Sequence, residues 1–307
     1  MSRILKALIT GGILFVLGLL VFLAGYHFNG YRLDDIFEYE AYEKDPLILN
    51  YYDATSPDSI AFISITTKRM PVTIKSHNEK FIRFEYYKNK NQSFEITERN
   101  GKLLLKKQDV GFFKENVSLN LLSLLKTNKE ENGITIYLPF SYQGELLVTT
   151  TMRDISVEEP LAFSNIKKID FKNSFADIRM NSISGNIFNI KNTRGAIICS
   201  DIDFNNITII SSNADVRLDY LSSDTLDFLA SKSYIEATNI MSENIHIDSN
   251  SSQVRIGISA YADQYSVKIE KSDKSEINLI EKTVEKSSKV IAIKATDSNI
   301  KMTFSLD

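Results

Sequence analysis

The stretch Ile207–Phe228, ITIISSNADVRLDYLSSDTLDF, decides how the rest of the chain is read. It opens on the triplet Ile207-Thr208-Ile209 and closes on Leu226-Asp227-Phe228, which starts 19 residues later. Outward from it the same triplet recurs as Ile169-Asp170-Phe171, Phe188-Asn189-Ile190 and Ile245-His246-Ile247, each step again 19 residues. Nine residues after each start stand Ile178, Ile197, Val216, Ile235 and Val254, and two further on Met180, Cys199, Leu218, Ala237 and Ile256. A third apolar column holds Ile183, Ile202, Leu221 and Ile240. Apolar and polar residues alternate within each copy, the period of 2 that marks a strand with one buried face. The inward columns supply the expected core: Phe171, Ile178, Ile190, Ile197, Cys199, Ile209, Val216, Leu218, Phe228, Ile235, Ile247 and Val254.

The fifth position after each start also keeps its chemistry, as Ser174, Thr193, Ser212, Ser231 and Asn250, followed by Ser272 and Thr296. A small hydroxyl or amide at constant phase is expected at a stacked corner, where each side chain bonds its neighbour or the turn backbone. An antiparallel sandwich gives no reason for such a column, whereas a solenoid stacks equivalent residues at about 4.8 Å. Two looser copies follow, Val267-Lys268-Ile269 leading to Ile277, and Ile291-Ala292-Ile293 leading to Ile300 and Met302. Upstream, Leu146-Leu147-Val148 leads to Ile155, so the array is expected to begin by residue 146 and to contain eight turns. The expected fold is all-β, a parallel β-solenoid of 19-residue rungs over 146–307, with an irregular N-terminal β part and one transmembrane helix ahead of it.

That helix is read from Ala7–Phe28, which contains no Asp, Glu, Lys or Arg. At about 1.5 Å per residue it matches a hydrocarbon core of about 30 Å. Arg3 and Lys6 precede it, while Asp34, Asp35, Glu38, Glu40 and Glu43 follow. The positive-inside rule then leaves residues 1–6 as a cytoplasmic stub and the rest outside, in a single-pass cell-membrane protein that meets the bilayer through residues 7–28. A cleaved signal peptide is the rival, but its exit at Phe22-Leu23-Ala24 is a poor small-x-small site, and no lipobox cysteine is present. Residues 29–58 read as a linker. From 59 to 145 alternation returns, with an Asn100-Gly101 hairpin and an inserted excursion at 110–132 that breaks the rhythm.

Val72-Thr73-Ile74, Asn100-Gly101-Lys102-Leu103, Ile134-Thr135-Ile136-Tyr137-Leu138-Pro139 and Leu146-Leu147-Val148-Thr149-Thr150-Thr151 followed by Asp154-Ile155 carry a resemblance. Together with the repeats, over roughly residues 60 to 307, they resemble a bacterial family of β-strand-repeat domains of unknown function, provisionally described as adhesins. The Gly-Asp-Ile usual in such repeats is here Arg153-Asp154-Ile155, which costs the turn a glycine and keeps the strand register. The resemblance implies surface-exposed solenoids on a membrane anchor, associated with envelope stress, antimicrobial-peptide response or adhesion. It implies no catalytic residue. Bactofilins, cytoskeletal β-helices of the cytoplasmic side, are similar in architecture only.

Composition limits the function further. The formal charge of −3, with acids and bases interleaved, gives no basic stripe for a nucleic-acid backbone. One cysteine permits neither an internal disulfide nor a cysteine-paired zinc site. Cys199 falls in a core column, and His246 stands apart from His27 and His77, so no metal or other cofactor is expected. The column Asp177, Ala196, Asp215, Tyr234 and Gln253 places two aspartates two rungs apart, about 9.6 Å by strand spacing. That is near the outer limit for inverting glycosidase carboxylates, but no Arg or Lys shares the column. A non-enzymatic cell-surface protein is therefore expected, a sensor or accessory factor of the envelope that meets a membrane protein partner or an extracellular ligand. The alternatives are an adhesin for glycan or matrix, and a scaffold that stacks through an open final rung near Leu306. Sequons at Asn91, Asn116, Asn206 and Asn250 are read as chance.

Overall fold

The computed structural model describes residues 15–22, 37–39, 48–88, 93–108, 117–119, 133–158, 161–285 and 287–305. In chain order the strands are β1 Phe37–Tyr39, β2 Ile48–Asp53, β3 Phe62–Thr66, β4 Val72–His77, β5 Arg83–Lys88, β6 Ser93–Arg99, β7 Lys102–Gln108, β8 Val117–Leu119, β9 Ile134–Pro139, β10 Glu145–Thr149, β11 Ile155–Val157, β12 Leu161–Asn173, β13 Ile178–Asn192, β14 Gly195–Ser212, β15 Ala214–Ser231, β16 Tyr234–Asn250, β17 Gln253–Ile258, β18 Ser266–Lys271, β19 Glu276–Ile277, β20 Val290–Thr296 and β21 Asn299–Phe304. They fall into two units.

In the smaller unit, residues 15–22 are helical with exposed side chains, and the rest of the 7–28 segment lies outside the described residues. Among the described residues no helix is long and apolar enough to cross a membrane. Strand β1 pairs antiparallel with β8, Phe37 opposite Leu119, so the excursion at 110–132 contributes a strand to the segment read as linker.

The larger unit is a parallel β-solenoid. Ile178, Ile197, Val216, Ile235 and Val254 are directly paired from rung to rung, and so are Phe188, Ile207, Leu226 and Ile245. The 19-residue period is thus the length of one turn. Each turn bends where the backbone turns left-handed: Ser182, Asp201, Tyr220 and Asn239 have φ of 53°, 52°, 53° and 55°, and Asn213, Lys232 and Ser251 have φ of 51° at the second corner. Short polar residues tolerate this region best, which explains most of the positions; Tyr220 and Lys232 occupy it against preference.

The rungs at both ends are stacked out of chain order. β3 and β4 lie beneath β10 and β11, with Ile63 opposite Leu146 and Val72 opposite Ile155. β7 and β9 stack in parallel on the far side of β3 and β4. The stack therefore does not begin at residue 146. The region 59–145, expected as irregular, supplies two of its rungs, because its alternation has the same phase as that of the repeats. Its outermost strand β9 is covered by antiparallel β5, and the Asn100-Gly101 turn, with φ of 51° and 71°, brings β6 back beside β7. β2 joins β5, so residues 48–53 of the expected linker belong to the fold.

At the other end β16 and β17 are followed in space by β20 and β21, and only then by β18 and β19. Asn299–Phe304 is thus flanked by β17 and β19, not an open final rung; Leu306 itself lies outside the described residues.

One continuous apolar core fills the turns, and all twelve expected core side chains are at most 4% exposed. Its columns compensate in volume. Gly185 has Phe204 and Ile166 so close that an added Cβ would lie 2.6 Å from Phe204 Cε1 and 2.4 Å from Ile166 Cγ2. Phe204 occupies that space and stacks on Phe188 with centroids 4.9 Å apart. Gly185→Ala should cost about 1–3 kcal/mol by overpacking. Adding Phe204→Leu should recover part of the loss, a coupling that urea unfolding of the four variants measures. Additive losses would contradict this packing. Val216→Asp places a charge at a fully buried position and should cost about 3–5 kcal/mol.

Candidate functional site

The polar groups of the solenoid divide into those that hold its corners and those that face outward, and only the second set is available to a ligand. At the second corner the backbone leaves the ladder and its N–H groups need other partners. Ser233 N–H donates to Ser252 Oγ at 3.0 Å, Ser252 N–H to Ser298 Oγ at 3.2 Å, and Ser298 N–H to Ser275 Oγ at 3.2 Å. Three of these hydroxyls also donate to a carbonyl two residues back: Ser233 to Ser231 O, Ser252 to Asn250 O and Ser298 to Thr296 O, at 3.0, 2.9 and 2.9 Å. The result is a buried serine ladder that runs through the rungs in their spatial order.

In the earlier rungs asparagine and aspartate do the same work. Asn173 Oδ1 accepts from the N–H groups of Ser174, Phe175 and Ala176, and Asn192 Nδ2 donates to Ala176 O at 2.9 Å. Asp154 Oδ1 takes the Asp177 N–H at 3.0 Å, and Asp177 Oδ1 takes that of Ala196 at 2.8 Å.

The corner column expected from sequence is displaced by these contacts. Ser174, Thr193, Ser212 and Ser231 are half-buried and Asn250 is exposed. The buried polar positions are one residue earlier, at Asn173, Asn192, Ser211 and Ser249, and two residues later, at Ser233 and Ser252. The reason is parity: in a strand that starts inward, the fourth position after the start points in and the fifth points out. Strand parity carried two residues past the triplet locates Asn173, Asn192, Ser211 and Ser249, whereas Ser233 and Ser252 lie beyond the left-handed Lys232 and Ser251, where the alternation is reset.

The aspartate pair of the expected carboxylate column is also separated in role. Asp177 caps Ala196 and pairs with Arg179, which fixes both of its oxygens, while Asp215 is exposed. Cys199 is 3% exposed, and burial pushes its thiol far above the ordinary range, away from the reactive thiolate. His246 faces outward and its Nδ1 lies 2.9 Å from Asp227 Oδ1 on the next rung. Among the described residues no group of three His, Cys, Asp or Glu side chains is placed to hold a metal ion.

What remains is surface in register. On one arm, Arg179, Ile198, Arg217, Glu236, Arg255 and Lys301 form an outward column, and the Arg255 guanidinium lies 5.7 Å from the ring centre of Tyr234. On the other arm the column runs Asp170, Asn189, Thr208, Asp227 and His246. At the first corner Tyr220 and Met241 are 55% and 51% exposed. These side chains repeat at the rung spacing and present a long, chemically mixed face.

A family model described as Toastrack DUF4097 matches residues 60–305, the span of the solenoid from β3 to β21. The chain belongs to the Toastrack DUF4097 family. The resemblance drawn from the strand motifs is to this extent that of a β-strand-repeat domain. Among solved structures, one from Clostridium sporogenes, provisionally named a cell adhesion protein, is similar with 12% identity, covering 84% of this chain and 100% of that chain at a TM-score of 0.31. No curated protein matches.

The serine ladder separates this Toastrack corner from a solvated turn. Ser252→Ala strands the buried Ser233 N–H and should cost about 1–3 kcal/mol. Ser212→Ala, in the outward column, should stay within about 0.5 kcal/mol. Denaturant midpoints of the two variants give the comparison, and equal effects would contradict the inward placement of the ladder.

Proposed function

We propose that this Toastrack protein is a non-enzymatic component of a bacterial cell surface, held by residues 7–28 with the solenoid outside, and that it acts as a sensor or accessory factor in the envelope's response to stress or antimicrobial peptides. The observation that carries this reading is the division of polar groups. Asp154, Asp177, Asn173, Asn192 and the ladder serines are occupied in closing the corners, so the chemistry left to the exterior is that of recognition by an extended face. The charge step across residues 3–43 supports the orientation.

The adhesin reading rests on the same face, with Tyr220 and Met241 exposed beside hydrogen-bonding side chains. The two readings differ in what the face meets, a partner within the envelope or a glycan or matrix outside it.

A C-terminal tag on intact cells should be removed by a nonspecific protease without lysis; protection of the tag would place the solenoid on the cytoplasmic side. A deletion strain should then change in envelope-stress reporter output and peptide susceptibility. Unchanged responses together with retention of the purified protein on a glycan or matrix array would replace the sensor with the adhesin.

A further inference from the structure

The last strand in space, β18, exposes one edge, and a short segment of the same chain lies across it. Val267 N–H donates to Lys282 O at 2.8 Å, Lys282 N–H returns to Val267 O at 3.2 Å, and Ile269 N–H donates to Glu281 Oε1 at 2.9 Å. Beside it, where β19 is only two residues long, Asn278 imitates a strand: its Nδ2 donates to Met302 O at 2.7 Å and its Oδ1 accepts the Met302 N–H at 2.8 Å. Leu279 closes the apolar end of the core, while Ile280 next to it is 83% exposed. Residues 278–285 therefore form a strap that satisfies the edge with one isolated backbone bridge and side-chain substitutes, instead of a strand.

The covered edge is complementary to itself. Ser266-Val267-Lys268-Ile269-Glu270-Lys271 has its Val267 and Ile269 N–H groups aimed at the edge, while Lys268 and Glu270 are exposed. Two such strands set antiparallel about Ile269 bring Ile269 opposite its own copy and Val267 opposite Lys271, both hydrogen-bonded pairs in an antiparallel ladder. The same register puts Lys268 opposite Glu270 of the second copy, and Glu270 opposite Lys268, two opposite-charge cross-strand pairs. Pairing of the β18 edge with the same edge of a second copy is isologous, so each molecule uses up its β18 edge and the product closes at two copies.

We propose that residues 278–285 are an autoinhibitory strap over a self-complementary strand edge, and that displacing the strap lets a second copy of this chain pair with β18 as a closed two-fold dimer. The test is sedimentation equilibrium of the detergent-solubilised full-length chain, wild type against a variant with residues 279–285 replaced by a Gly/Ser linker of equal length. The wild type should sediment as a monomer and the strap variant as a dimer. Lys268→Glu in the strap variant should return it to monomer, and adding Glu270→Lys should restore the dimer. A folded strap variant that stays monomeric, one that grows into polymers, or a dimer indifferent to the charge exchange would each overturn the proposal. So would a wild-type dimer abolished by Lys268→Glu, since the edge would then already be open. Should the replacement fail to fold, Glu281→Ala decides: it frees only the Ile269 N–H and should show dimer at high concentration, and monomer throughout would overturn the proposal.

Discussion

Everything in this protein depends on the parallel pairing of one turn with the next. A parallel strand has no tight hairpin to hold it, so its register comes from what lies on its inner face and at its corners. The inner face is a set of columns in which each side chain sits on its equivalent one turn away, and a one-residue slip would turn every column outward. The corners are the second constraint. There the backbone bends through left-handed residues and leaves N–H groups inside the protein, and the side chains of Ser233, Ser252 and Ser298 in the later rungs, or Asn173 and Asp177 in the earlier ones, meet them.

This arrangement also bears on function. A solenoid that closes its corners with polar side chains removes those groups from solution chemistry. Asp177 looks like half of a carboxylate pair in sequence, yet its two oxygens are occupied by Ala196 and Arg179. Cys199, the one thiol, is a core side chain between Met180 and Leu218. The outward columns remain, and their charge is mixed, with Glu236 between Arg217 and Arg255.

Much of the fold was legible in the sequence because the repeat is strict where the turns are regular. From Ile169 to Ile256 the spacing alone places each inward side chain, and burial follows it residue by residue. The corner was displaced because chemical likeness was followed past the left-handed bend at Lys232 and Ser251: Ser212 and Ser231 resemble a ladder, but Ser233 and Ser252, just beyond the bend, make one. The order of the end rungs was not legible in the same way. Strand pairing is non-local, and Val267 and Ile291 carry the same inward pattern, so periodicity fits either order. The clue lies in the connections. The segment between β19 and β20 is long enough to return beneath the strand it has just left, and Ser298 sits where the Ser252 N–H needs an acceptor. Residues 59–145 were read as irregular for a related reason, since their turns are interrupted by β5, β6 and the 110–132 excursion, which hide a phase that β3, β4, β7 and β9 keep.

The most direct test of this account is the order of the stack where chain order and spatial order disagree. In a Cys199→Ala background, cysteine pairs at outward positions would be oxidised and scored for intramolecular disulfides. Stacking as described pairs Asp248 with Lys294 and Lys294 with Glu270, and keeps Asp248 and Glu270 two rungs apart. Disulfides at 248–294 and 294–270, with none at 248–270, are the result the account predicts; a disulfide at 248–270 without one at 248–294 would mean that the rungs follow the chain, and would contradict it.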